Sequence, residues 1–430
     1  MDEALSVADA DAVAVLRRNR ERGYTVPSRT LYPHQWSWDL AFNALGWKHI
    51  DPSLARQEIE TGLGAQWPDG RIPHIAFNAD VDQDAYFPGS QFWRATDRAR
   101  DGRATTGIVQ PPIHAGIVAR IARRSADPET AAWLERVYPS LCAWHDYLLA
   151  RRVAPGRRLA HLRHPWESGM DNSPMWDEPL AAVDATGVPA YRRRDLTHAD
   201  PADRPTDLDY DRYITLAAEY RDRGYDDTRP GSQFTVECPL FNAVLAWSES
   251  ALAEIAETLG HDGSAHRARA GSIAEALVTD LHAPGLGLFT AYDVRAGPLI
   301  PVRSVSGLVP LLAPDLPDEI VAGLVDTARE AFGLGGDGVQ LPSIPVADPA
   351  FDPNRYWRGP AWVSINWLVV QGLAVHGLTD EAAGLTDATI RMIDASGYYE
   401  YFNPLDGAGR GSPDFSWTAA LRLDLEAGPA

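Results

Sequence analysis

The sequence predicts an all-α protein in which helical hairpins pack into a closed ring, with long aromatic loops folded together over one face. Three observations carry this expectation. Apolar residues recur at helical intervals along most of the 430 residues. The segments between them are rich in Pro, Gly, Trp and Tyr, and aromatic loops are costly to expose singly. No series of alternating strand patterns interrupts the helices. An α/α toroid of hairpins sets every second loop on a common rim. Periodicity leaves a stacked solenoid open as the alternative, and the lack of a fixed-length repeat counts against it.

The elements follow in chain order. Asp51 and Pro52 supply an N-cap acceptor and a first-turn proline, and Leu54, Ile59 and Leu63 continue at helical spacing. The same period runs through 113–123, 129–149, 242–259, 272–281, 319–331, 361–375, 381–393 and 416–425. Gly260 and Gly377 stand where a helix end favours glycine. The aromatic loops span 67–77, 87–93, 164–179, 352–360 and 397–411. The stretch 185–229, polar and rich in Arg and Asp, is expected to be an insertion or lid over the loop face. No composition break divides the chain, so residues 1–430 are expected to form one domain.

Composition narrows the function classes. A net charge of −20 argues against nucleic acid or an anionic membrane as partner, because phosphate contacts need a basic surface. An anionic small substrate would therefore need a local arginine. No apolar run approaches the ~18 residues of a membrane helix. Met1-Asp2-Glu3 lacks the basic and apolar regions of a signal peptide, so a cytoplasmic location is expected. Cys142 and Cys238 have no metal-ligand spacing and are expected to be small core residues. Neither a metal nor a cofactor is expected; the sequence is compatible with a homo-oligomer.

Two acidic segments carry the chemistry. Glu400 lies in Gly397-Tyr398-Tyr399-Glu400-Tyr401-Phe402-Asn403-Pro404, flanked by tyrosines able to orient a carboxylate or its water. Asp171 lies in Trp166-Glu167-Ser168-Gly169-Met170-Asp171-Asn172-Ser173-Pro174, where partial desolvation would keep a proton available for a leaving oxygen. Two carboxylates in aromatic loops are the minimal equipment for cleaving a glycosidic bond. Glu167, Asp177 and Glu178 compete with Asp171, and Asp414 competes with Glu400 while also suiting a helix cap.

Many of the 14 tryptophans fall in or beside these loops, among them Trp36, Trp38, Trp67, Trp93, Trp166, Trp176, Trp357, Trp362, Trp367 and Trp417. The flat C–H face of a sugar lies well on indole, so this composition suits carbohydrate binding. Asp39, beside Trp36 and Trp38, either accepts from sugar hydroxyls or caps the helix through Phe42 and Leu45. Arg358 either faces the loop cluster or pairs with a structural acid. Four histidines, His34, His74, His114 and His164, keep open a sugar epimerase or isomerase that relies on histidine bases. A non-catalytic carbohydrate-binding protein shares the Trp-rich cleft.

The motifs together resemble glycoside hydrolase family 63, in particular its short bacterial branch acting on mannosylglycerate and glucosylglycerate. The resemblance rests on Gln35-Trp36-Ser37-Trp38-Asp39, Gln110-Pro111-Pro112, the Glu167 to Pro174 loop, Arg204-Pro205-Thr206 with Asp209-Tyr210-Asp211-Arg212-Tyr213, Tyr356-Trp357-Arg358-Gly359-Pro360-Ala361-Trp362, and Tyr399 to Pro404. It implies a single (α/α)6 barrel, inversion at the anomeric carbon and no metal. By motif position Asp171 is then the general acid and Glu400 the general base. Tyr32, Trp36, Trp38 and Asp39 belong to the sugar subsite, joined by Gln110, Trp357 and Trp362. Arg204 and Tyr210, with Tyr356 close by, are implied for the glycerate carboxylate. An α-glucosidase or trehalase-like hydrolase of neutral oligosaccharides is the second enzymatic reading.

Overall fold

The computed structural model describes residues 7–82, 85–123, 127–197 and 201–428. Met1 to Glu3 and residues 198–200 of the expected lid lie outside them. The helices that matter for the site are α1 (Val7–Arg18), α2 (Ser37–Lys48), α3 (Pro52–Gly64), α4 (His114–Ala122), α5 (Glu129–Arg151), α6 (Asp207–Asp222), α7 (Pro239–Thr258), α8 (Ser264–Ala276), α9 (Asp318–Phe332), α10 (Val363–Val375), α11 (Thr379–Ser396) and α12 (Ser416–Glu426).

The ring closes. Helix α2 packs on α4, α4 on α7, α7 on the 3-10 turn Val309–Leu312, that turn on α10, α10 on α12, and α12 back on α2. Outside them, α3 covers α2, α5 lies against α4 and α7, α8 covers α7, α11 covers α10 and α1 covers α12. Helix α9 packs on the two-residue strand Leu288–Phe289, which touches the turn Val305–Gly307. This is the (α/α)6 barrel, with 3-10 turns replacing one inner helix.

Inner and outer helices differ in sequence for a physical reason. A helix surrounded by others can be apolar on every side, whereas a surface helix needs only one buried stripe. Residues Ser37 to Trp47 of α2 and Val363 to Leu373 of α10 are all buried. Outer α9 instead buries the stripe Ile320, Val321, Leu324, Val325, Ala328 and Phe332. Small residues allow the tightest inner contact: a Cβ on Gly46 of α2 would come within 2.6 Å of the Ala420 Cα on α12.

One carboxylate ties the inner ring together. Asp424 on α12 accepts from Arg120 Nε and Nη2 on α4 at 3.1 and 2.9 Å, and from Trp367 Nε1 on α10 at 2.9 Å. His49, just past α2, lies 3.0 Å away. The Arg120 and His49 side chains hold the Asp424 carboxyl down at about 2 against the burial that would raise it.

Several sequence expectations are corrected. Helix α8 begins at Ser264, and a π-helical turn Leu277–Leu281 follows it, so the 272–281 segment is the end of a longer element. Asp39 does not cap α2, because Trp36 is the N-cap and Asp39 lies inside the first turn. Asp414 does not cap α12 either: Phe415 is the N-cap, while Asp414, at φ 52°, pairs with Arg18 at 2.5 Å. Cys238 is buried, but Cys142 is only half-buried and lies 3.8 Å from His266 Nε2. Within 185–229, α6 buries Tyr213, Ile214, Leu216 and Ala217, so this half of the stretch is part of the packed wall.

Candidate active site

The loops that precede α2, α4, α10 and α12 converge on one cleft with about 920 Å³ of empty space, part of it open to solvent. All twelve residues singled out from the sequence line it: Tyr32, Trp36, Trp38, Asp39, Gln110, Asp171, Arg204, Tyr210, Tyr356, Trp357, Trp362 and Glu400. Inner-helix N-termini therefore face the cleft, and their positive ends offset part of its acidic charge.

Asp171 sits on a loop pinned from several sides. The Trp176 indole donates to the Met170 carbonyl at 2.7 Å, Tyr213 donates to the Asp171 carbonyl at 3.0 Å, and Asn172 Oδ1 accepts from the Trp357 backbone N–H at 2.8 Å. Gly169 makes the turn at φ 72°, with the Trp38 ring so close that a Cβ would meet it at 2.7 Å. Among the described residues no other side chain donates to the Asp171 carboxyl. Burial pushes it up to about 8, Arg204 opposes that, and the negative Glu400 adds to it.

Glu400 is buried in the opposite kind of setting. Tyr32 Oη donates to Oε1 at 2.8 Å, the Ser412 backbone N–H donates to Oε2 at 3.1 Å, and Arg204 Nη2 lies 3.6 Å from Oε2. Gly411 makes this possible, since at φ 71° it bears no Cβ to strike Oε2. Burial raises the Glu400 pKa, while Arg204, Tyr32 and the Ser412 N–H favour its charged form. Asp39, buried in α2, is raised well above the usual range by burial, and by the charges of Glu400 and Asp171.

Arg204 is buried with Nη1 donating to Tyr32 Oη at 3.2 Å and its guanidinium 4.8 Å from the Tyr356 ring centre. Its Nε and Nη2 hydrogens have no hydrogen-bond acceptor among the described residues. Tyr356 holds a left-handed backbone (φ 46°), a strained conformation that persists only where surroundings fix it. Trp357 and Trp362 stack at 3.8 Å and Trp362 stacks on Tyr401 at 4.8 Å, giving a rigid wall. Gln110 Oε1 accepts the Trp38 backbone N–H at 3.1 Å, which orients its amide at the cleft.

The competing candidates do other work. Glu167 is fully buried and taken by Arg152 at 2.8 and 2.9 Å and by the Val109 and Arg163 N–H groups. Arg152 also pairs with Asp227 at 2.9 Å, so one guanidinium anchors both the Asp171 loop and the end of the 185–229 stretch. Asp177 pairs with Arg358 at the surface, and Glu178 is exposed. Of the tryptophans, Trp67, Trp93, Trp176 and Trp367 are core residues outside the cleft, while Trp166 and Trp417 line it with the four already named. Burial lowers His34, His114 and His164 to about 4 and His74 to about 3, and only His74 lines the cleft. An epimerase relying on a pair of histidine bases would find one of these four at the cleft and not two. Sequence reasoning missed Tyr86, Phe87, Arg194 and Asp195, which also line the cleft. Phe87 stacks on Tyr191 at 5.4 Å, joining the 85–93 loop to the start of the 185–229 stretch. Among the described residues no group of three or more His, Cys, Asp or Glu could hold a metal, and no helix is long and apolar enough to cross a membrane.

An (α/α)6 barrel whose loop face carries buried carboxylates in an aromatic cleft has the build of a glycoside hydrolase. The chain belongs to glycoside hydrolase family 63: the model for the mannosylglycerate hydrolase MGH1-like glycoside hydrolase domain matches residues 32–418. It is 41% identical to the mannosylglycerate hydrolase of Rubrobacter radiotolerans, over 97% of this chain and 96% of that one. It is 36% identical to the glucosylglycerate hydrolase of Mycolicibacterium hassiacum, over 96% of each. The crystal structure of the mannosylglycerate hydrolase of Thermus thermophilus in complex with Tris and D-glycerate superposes with a TM-score of 0.91 at 37% identity, covering 97% of this chain and 99% of that one.

Proposed function

We propose that this protein hydrolyses small α-glycosides of glycerate, mannosylglycerate and glucosylglycerate, with inversion, releasing the sugar and glycerate. The observation that carries this reading is the contrast between two carboxyl groups opening on one cleft. Asp171, without a side-chain donor and raised to about 8, keeps its proton near neutral pH and gives it to the leaving glycerate oxygen. Glu400, held by Tyr32, Ser412 and Arg204, takes a proton from the water that attacks the anomeric carbon. The stacked Trp357 and Trp362, with Trp36, Trp38, Asp39 and Gln110, hold the pyranose. Arg204, which lines the cleft beside Tyr210 and Tyr356, is the local cation that answers the difficulty of binding an anion in a protein of net charge −20. The 185–229 stretch then serves as the lid over the aglycone, and two free cysteines fit the reducing cytoplasm as its place of action.

The test is release of glycerate from each glycosylglycerate against release of glucose from trehalose and α-linked disaccharides. The expected result is turnover of the glycerates with little on the disaccharides. Preferential cleavage of the disaccharides would transfer the reading to a neutral α-glucosidase, and binding without cleavage would leave a carbohydrate-binding protein.

A further inference from the structure

A second hollow, with about 660 Å³ of empty space, part of it open to solvent, adjoins the catalytic cleft and shares Tyr86, Phe87 and Arg194 with it. The rest of its lining is Gly89, Gln91, Phe92 and Arg192, with no carboxylate among the described residues; Arg194 already has a partner, so Arg192 is the cation on which the hollow relies. Its walls are braced to α6: Arg221 donates to the Phe92 carbonyl at 3.1 Å and lies 4.6 Å from the Phe92 ring centre. Neighbouring Arg193 is neutralised by Asp195 and Asp207, and covers Tyr210 at 4.0 Å. Arg192 is exposed and makes no ion pair or hydrogen bond among the described residues, so its charge is not cancelled locally.

We propose that this hollow is an anion-capture vestibule, in which Arg192 draws the carboxylate of the substrate out of the negative field of the protein and passes it toward Arg204. The proposal rests on the glycosylglycerate reading and names a specificity determinant that does not touch the reacting bond. The mechanics are elementary. With 59 acidic against 39 basic residues the surface repels an anion, and a locally positive mouth restores its concentration at the entrance. An exposed cation acts on a passing carboxylate through water, so its influence is about threefold in affinity and fades once salt shortens the Debye length.

The experiment measures binding in the catalytically silenced Glu400→Gln background, which separates capture from turnover. Tryptophan fluorescence titrations with mannosylglycerate, glucosylglycerate and free glucose compare Arg192 with Arg192→Ala, Arg192→Glu and Arg192→Lys at low and high salt. The expected result is about threefold weaker glycosylglycerate binding in Arg192→Ala, about tenfold weaker in Arg192→Glu and none lost in Arg192→Lys, with glucose unaffected and the differences gone in about 0.5 M salt. Equal losses for glucose, losses that persist in high salt, or unchanged affinity in Arg192→Glu at low salt would each overturn the proposal. Salt-sensitive capture in a protein whose active form releases no glycerate would instead overturn the activity reading and leave the vestibule standing.

Discussion

On the proposed mechanism Arg204 is the residue at which substrate binding and acid-base chemistry meet, and replacing it by alanine separates them. Its Nη2 lies 3.6 Å from Glu400 Oε2. At that distance and an effective dielectric constant of about 20, the pair interacts by about 4 to 5 kcal/mol, which as an upper bound is about three pKa units. Water entering the space left by the side chain reduces this to about two units. The sign follows from the charge: Arg204 favours the ionised form of Glu400, so its loss raises that pKa, and a base that must be ionised then fails at higher pH. Asp171 is also held down by Arg204, so its pKa rises too. The profile of kcat/KM against pH, which reports the free enzyme, should therefore shift on both limbs toward alkaline pH, the acidic limb by about two units. Loss of glycerate affinity alone would lower the profile without moving it. An acidic limb that stays in place while KM for the glycosylglycerate rises would refute the coupling of Arg204 to Glu400.

Other outcomes follow from the same geometry. Asp171→Asn and Glu400→Gln should each lower kcat by about 10² to 10⁴-fold while glucose still binds by calorimetry; turnover retained in either variant removes that residue from the mechanism. In the unmodified protein, activity should fall as pH rises through about 8, because the Asp171 acid must be protonated; a plateau extending to pH 10 contradicts the assignment. Asp424→Asn leaves Arg120 buried without its counter-charge and should destabilise the fold by about 3 to 5 kcal/mol in denaturant titrations, with the cleft chemistry unchanged in the folded fraction. The Asp424 contribution is present above the unfolded carboxylate pKa and lost as pH falls toward about 2, so acid should narrow the gap between variant and parent.

The cleft was legible in the sequence because sugar chemistry demands uncommon local combinations. Acids flanked by Trp and Tyr in Pro- and Gly-rich loops have few uses, and Asp171 and Glu400 stood out on that ground. What the sequence could not separate were neighbours with the same chemistry. Glu167 differs from Asp171 only in facing Arg152, a contact set by how the chain after α5 turns back. Trp176 and Trp367 differ from Trp357 in finding backbone or Asp424 partners inside the core. Helix α2 was marked only by Phe42 and Leu45 after Asp39, because it is buried on every side and has no polar face to set its bounds. Ring closure depends on pairings such as Gly46 with Ala420 and Arg120 with Asp424, about 300 residues or more apart, which no local pattern encodes. Tyr86 was missed because its place in the cleft arises from edge contacts with His34 and Trp36, and Phe87 because it stacks on Tyr191, far along the chain in the 185–229 stretch.

On the proposed mechanism a protonated Asp171 and an ionised Glu400 act on opposite faces of one bound sugar, with water as the nucleophile. Proton NMR of the first anomer formed from mannosylglycerate or glucosylglycerate tests it most directly. Inversion of an α-glycoside predicts that the β-anomer appears first and mutarotates afterwards; the α-anomer appearing first would require a glycosyl-enzyme intermediate and contradict the account.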